Sequence, residues 1–172
     1  MMPQDEMIAR LARQIEAAKK SEQCAEDTAC VAALRKRGAG ELHSICAAFA
    51  SSVNSRMSQA ALDVTPAAYT DEMFRESGPN LIRLGAQGRE MQITFQATGK
   101  LFSTEKFVTP YVLEGEVRTY NQEMLEHFQI RSLAVFFCVE NARTSWRFFD
   151  WRTRRTGLLD SELLASLMGR LF

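Results

Sequence analysis

The chain has 172 residues, 46% of them hydrophobic, and sets 21 lysines and arginines against 21 aspartates and glutamates, which suits one domain with no net charge. That balance leaves no global field to draw nucleic acid or anionic lipid, so any electrostatic binding has to be local. No apolar run approaches the length that spans a bilayer, and the first twenty residues carry charges throughout. The expectation is a cytoplasmic protein whose four cysteines, Cys24, Cys30, Cys46 and Cys138, are reduced thiols.

Pro3, Asp5 and Glu6 start a helix in which Ile8, Leu11, Ala12, Ile15 and Ala18 recur at helical spacing. This stripe is thin, and such a helix is expected to lie against its neighbours or against another copy. The polar stretch from Ser21 to Thr28 interrupts it. A second helical piece runs from Ala29 to Arg37, with Gly38 and Gly40 as stop signals. A third helix places Leu42, Ile45, Cys46, Phe49, Val53 and Met57 on one face, which should pack on a sheet. Residues 1–40 are thus read as a helical extension and residues 41–172 as a single α+β domain. Residues 63–80, with Pro66, Gly78 and Pro79, read as a connection.

Leu81 to Leu84 and Met91 to Thr98 flank Gly85-Ala86-Gln87-Gly88 and read as a hairpin. The strand from Tyr111 to Tyr120 puts Tyr111, Leu113 and Val117 on one side and Glu114, Glu116 and Arg118 on the other. Asn121 caps a short helix at 122–128. The stretch from Ile130 to Arg152 reads as a second hairpin turning at residues 140–143. Its first strand is apolar on both faces, with Leu133, Val135, Phe137 and Val139 one way and Ala134, Phe136 and Cys138 the other. A terminal helix follows, N-capped by Asp160, with Leu159 stapling onto Leu164. The fold class is α+β, an antiparallel five-stranded sheet packed with helices in the order α-α-α-β-β-β-α-β-β-α.

Residues that carry chemistry are few. His43 and Cys46 lie three apart on one helix face, as two metal ligands would, but match no zinc spacing; a buried thiol and an ordinary imidazole is the plainer reading. Cys46 with His127 has nothing to bring the pair together. Glu114 and Glu116 share a strand face and could divide into acid and base, yet with Arg118 beside them they also describe a solvated sheet. Gly38-Ala39-Gly40 lacks the remaining residues of a phosphate loop. Arginines and rings interleave through Arg143, Trp146, Arg147, Phe148, Phe149, Trp151, Arg152, Arg154 and Arg155, as on single-strand-binding sheets, without any nucleic-acid-binding motif. No catalytic residue, metal site or cofactor is assigned.

One face of the sheet is covered by helices. The other has a polar half and an apolar half with Phe136, Cys138, Phe149 and Trp151, which calls for cover. The residues expected at an interface or binding surface are Phe136, Phe149, Trp151, Arg147, Glu114, Glu116 and Arg118. The element order from residue 41 onward resembles that of the small chaperones of type III secretion systems, which implies a dimer that binds an extended partner chain. The functional expectation is a non-catalytic interaction module that self-associates or binds a protein partner, with no membrane and no nucleic acid. The alternatives are a small-molecule binder or enzyme working on the polar sheet face with His127, single-strand binding, and chaperone-like binding of a chain.

Overall fold

Alternating apolar and polar residues along successive segments build one antiparallel sheet in which each strand pairs with its neighbours in sequence. The computed structural model describes residues 4–102, 107, 109–121, 131–141 and 143–172; within these, the side chains at 21, 25, 26, 100–102 and 131 are not described. The seven strands are β1 (Asp63–Thr65), β2 (Asn80–Ala86), β3 (Arg89–Phe102), β4 (Tyr111–Tyr120), β5 (Arg131–Glu140), β6 (Arg143–Asp150) and β7 (Arg155–Leu158). Helix α1 (Gln4–Glu26) and helix α2 (Thr28–Asn54) precede them, and α3 (Ser161–Gly169) closes the described chain.

The expected α+β class with an antiparallel sheet is present, but among the described residues the sheet has seven strands and not five. The two additional strands are the edges. Both are short and carry little alternation, so periodicity does not reveal them. Among the described residues two helices replace the expected three at the N-terminal end, and the added strands β1 and β7 change the order from residue 41 onward on which the resemblance to secretion chaperones rested. The expected helix at 122–128, and His127 with it, lies outside the described residues.

Gly38 and Gly40 do not end a helix; α2 runs through them unbroken. A Cβ at Gly38 would stand 2.5 Å from Cδ2 of Phe137, whereas one at Gly40 would meet nothing within 4 Å. Gly38 is therefore a contact point where helix backbone approaches the sheet. Its carbonyl accepts a 2.7 Å hydrogen bond from Nε1 of Trp146, locking helix to sheet.

Around that contact the inner sheet face packs Ile82, Leu84, Ile93, Phe95, Val135 and Phe137 against Leu42, Cys46 and Phe49 of α2 and Leu164 and Met168 of α3. Asp160 caps α3 as expected, its carboxylate accepting from the Leu163 amide at 2.9 Å. Asn54 ends α2 by donating to the Leu62 carbonyl at 2.9 Å and accepting from the amides of Ala61 and Leu62. The buried guanidinium of Arg35 donates to the Val112 carbonyl at 3.3 Å and also engages Glu76 and the Thr98 carbonyl, so its charge is partnered.

Cys24 and Cys30 form a disulfide, correcting the expectation of four thiols. α1 and α2 meet at Asp27, whose side chain accepts from the Ala29 amide at 2.9 Å, and the bend brings the two cysteine Cα atoms to 5.3 Å. The thiol argument for a reducing compartment falls with it. Cys46 and Cys138 are free and buried. Among the described residues no helix is long and apolar enough to cross a membrane.

Candidate functional site

Strand register decides which side chains share the outer face, because residues directly opposite in an antiparallel pair point the same way. Gln96 of β3 faces Glu114 of β4, Glu114 faces Phe136 of β5, and Phe136 faces Arg147 of β6. The adjacent row runs Thr94, Glu116, Ala134, Phe149. Beyond it lie Gln92 and Arg118. Glu114, Glu116, Arg118, Phe136, Arg147 and Phe149 thus all belong to one face. Trp151 follows the end of β6 and joins them through its ring, which meets Phe149 edge-on with centroids 4.8 Å apart.

A second, smaller core sits on this face, formed by Phe107, Tyr111, Phe136, Cys138 and Phe149 with Ala134 against it. Phe107 stacks on Phe136 at 4.3 Å and 19°, and meets Phe149 edge-on at 6.2 Å. Tyr111 tilts against Phe136 at 4.5 Å. The apolar half of the face is therefore covered in part by the chain's own Phe107. Trp151 stays 53% exposed.

Tyr111 was expected on the core side with Leu113 and Val117. A register shift between Tyr111 and Leu113 pairs Tyr111 with Cys138 and Leu113 with Phe137, so Tyr111 turns outward while Leu113 stays inward. A bulge of one residue reverses the facing of everything before it.

Beside this aromatic cluster opens a cleft of about 520 Å³, lined by Thr94, Gln96, Tyr111, Glu114, Glu116, Phe136 and Trp151 together with backbone of the central strands. Glu116 is paired with Arg118, Oε2 to NH2 at 3.0 Å. Glu114 forms no ion pair among the described residues. The Tyr111 hydroxyl is held above its ordinary range by burial first, then by the charge of Glu114. The Cys138 thiol is pushed up to about 12 by burial, which makes it a poor nucleophile. Its Sγ–H points to the Phe136 carbonyl at 3.7 Å.

The end of the face away from the aromatic cluster is a connected polar group. Tyr120 donates to Glu90 at 2.8 Å, Gln92 donates to Glu90 at 3.3 Å, and Arg83 closes the group as the ion-pair partner of Glu90. Glu90 is held below its ordinary range chiefly by Arg83.

His43 and Cys46 do not converge on a site. Nε2 of His43 donates to the Pro66 carbonyl at 2.6 Å and its ring stacks on Tyr69 at 5.5 Å, while Cys46 is sealed in the core with its thiol pushed up to about 12 by burial. Among the described residues no group of three or more His, Cys, Asp or Glu side chains is placed to hold a metal. Comparison with protein-family models, with curated proteins and with solved structures finds no match.

Proposed function

We propose that the chain is a non-catalytic interaction module that holds a basic, extended segment of a partner polypeptide in the outer-face cleft. The observation that carries this reading is one depression offering two chemistries: the half-exposed ring of Trp151 beside the buried cluster of Tyr111 and Phe136, and the carboxylates of Glu114 and Glu116. An arginine or lysine side chain satisfies both, since a cation is drawn to the face of a ring and to a carboxylate, each worth ~0.5 to 1 kcal/mol at exposed sites. A polyanion meets the same carboxylates and is repelled, which weighs against single-stranded nucleic acid despite the neighbouring arginines. The cleft is open to solvent and draws its lining from β3, β4, β5 and the residue after β6, a shape suited to a chain more than to an enclosed small molecule.

Trp151 reports on occupancy by its own fluorescence. Titration with an arginine-rich dodecapeptide is expected to saturate, and a glutamate-rich peptide of equal length is expected to give no change. Glu114→Gln should weaken binding about fivefold, the equivalent of ~1 kcal/mol. A Trp151→Phe variant assigns the signal, since the buried Trp146 remains. Equal affinity for both peptides, or no loss in Glu114→Gln, overturns the reading.

A further inference from the structure

Helix α1 presents a second surface, unrelated to the outer-face cleft. Every residue from Gln4 to Glu16 is exposed. Within that span Met7, Ile8, Leu11 and Ile15 form an apolar stripe, each between 51% and 60% exposed. That part of the helix has no packed face to sustain it, contact with α2 and β5 falling to the rest of α1, and isolated helices of about 13 residues are marginal in water. The disulfide between Cys24 and Cys30 and the Asp27 cap fix its base to α2, with the Asp27 amide donating to the Cys24 carbonyl at 3.1 Å. The stripe itself stays exposed to solvent.

We infer that α1 pairs antiparallel with α1 of a second copy of this chain. Ile8, Leu11, Ile15 and Ala18 fall at alternating three- and four-residue spacing, the a and d positions of a two-stranded seam. The charges choose the direction. Asp5 and Glu6 stand at the start of the helix and Lys19 and Lys20 near its end. Among the described residues none of these four forms an ion pair with the rest of the chain. In an antiparallel seam that sets Leu11 against Ile15 of the second copy, Asp5 comes beside Lys19 of that copy, and the reciprocal pair forms by symmetry. A parallel seam would place acid on acid and lysine on lysine and would align the two helix dipoles. The seam covers fewer than three heptads, so the dimer is expected to exchange with monomer as concentration falls.

Sedimentation velocity across a concentration series tests this on the intact chain. The unaltered protein is expected to shift from monomer to dimer as concentration rises, and Ile15→Lys should abolish the shift. That substitution touches no packed core, so the thermal midpoint of the dilute monomer is expected to hold, which separates lost pairing from lost folding. Lys19→Glu alone should weaken the dimer about tenfold, given two symmetric pairs. Asp5→Lys combined with Lys19→Glu should restore it. Carbodiimide cross-linking of mixed heavy- and light-isotope protein should join Asp5 or Glu6 to Lys19 or Lys20 between the two populations. Asp5 and Lys19 of one helix are about 21 Å apart, beyond the reach of a zero-length link. A protein that is monomeric at millimolar concentration, a dimer indifferent to Ile15→Lys, or a charge swap that fails to rescue overturns the inference. Sensitivity of the dimer to Glu114→Gln would move self-association to the sheet face instead.

Discussion

The two faces of β5 make the most instructive contrast in the molecule. Val135, Phe137 and Val139 point inward to a core closed by α2 and α3, whereas Phe136 and Cys138 point outward to a cluster of five buried residues in which Phe107 is the covering ring. Both faces are apolar and both are buried, but to different ends. The inner face is held by helices whose backbone comes within van der Waals reach of the sheet at Gly38. The outer face thins toward Trp151 and the open cleft. Burial by packed helices makes a structural core; burial at the margin of a cleft leaves a surface that can exchange self-contact for partner contact.

The largest expected effect separates two adjacent phenylalanines. Phe137→Ala should cost about 3 to 5 kcal/mol in urea unfolding, because a fully enclosed ring leaves a cavity its surroundings cannot fill. Phe136→Ala should cost at least ~1 kcal/mol less, since Phe107 and Trp151 can settle toward the gap. Equal losses would erase the distinction between the faces.

The glycines of α2 offer an opposed pair. Gly38→Ala forces a methyl against the Phe137 ring and should destabilise by about 1 to 3 kcal/mol. Gly40→Ala meets nothing and should stabilise by up to ~1 kcal/mol through helix propensity. Thermal midpoints moving the same way in both variants would contradict the close approach at Gly38. Asp160→Ala should lower stability by about 1 kcal/mol, through loss of the carboxylate that accepts from the Leu163 amide. An unchanged midpoint would sink the cap.

Smaller effects belong to the free thiols, one on each face. Cys46 and Cys138 are both pushed up to about 12 by burial, and each returns to an ordinary value near 8.5 on unfolding. A raised folded pKa means the native state holds its proton more tightly. The associated stability is complete below the unfolded value and is lost as pH rises from about 9 toward 12. Chemical denaturation at successive pH values should show that decline, and replacing both thiols by alanine should lessen it, the remainder belonging to Tyr69, Tyr111 and Tyr120, whose hydroxyls burial also raises. At pH 8 iodoacetamide should modify Cys138 before Cys46, because the outer cluster opens more readily than the helix-covered core.

The central strands were legible from sequence because each carries a wet face and a dry one, as with Ile93 and Phe95 against Thr94 and Gln96, or because it is apolar throughout, as with residues 133–139. Asp160 was legible because a cap requires only local neighbours. The edge strands were not: three residues at 63–65 and four at 155–158 carry too little pattern to separate from loop. Gly38 reads as a helix stop until the sheet behind it is known, since its role is set by Phe137, far away in sequence. The residues of the outer face were legible in composition and incomplete in membership. Phe136, Phe149, Trp151, Glu114 and Glu116 share the face that alternation assigned them, but Tyr111 reached it through a bulge that alternation cannot show. Phe107 joined as one ring in a stretch without periodicity. The disulfide depended on the bend at Asp27, which spacing alone does not define.

Methyl chemical-shift mapping with the arginine-rich dodecapeptide tests the central claim most directly, because methyl groups report the two faces separately. Thr94 and Ala134, on the outer face, are expected to shift as the peptide is added, while Ile82, Ile93 and Val135, beneath the helices, stay in place. Shifts confined to the inner set, or spread equally over both, would contradict the assignment of contact to one face and structure to the other.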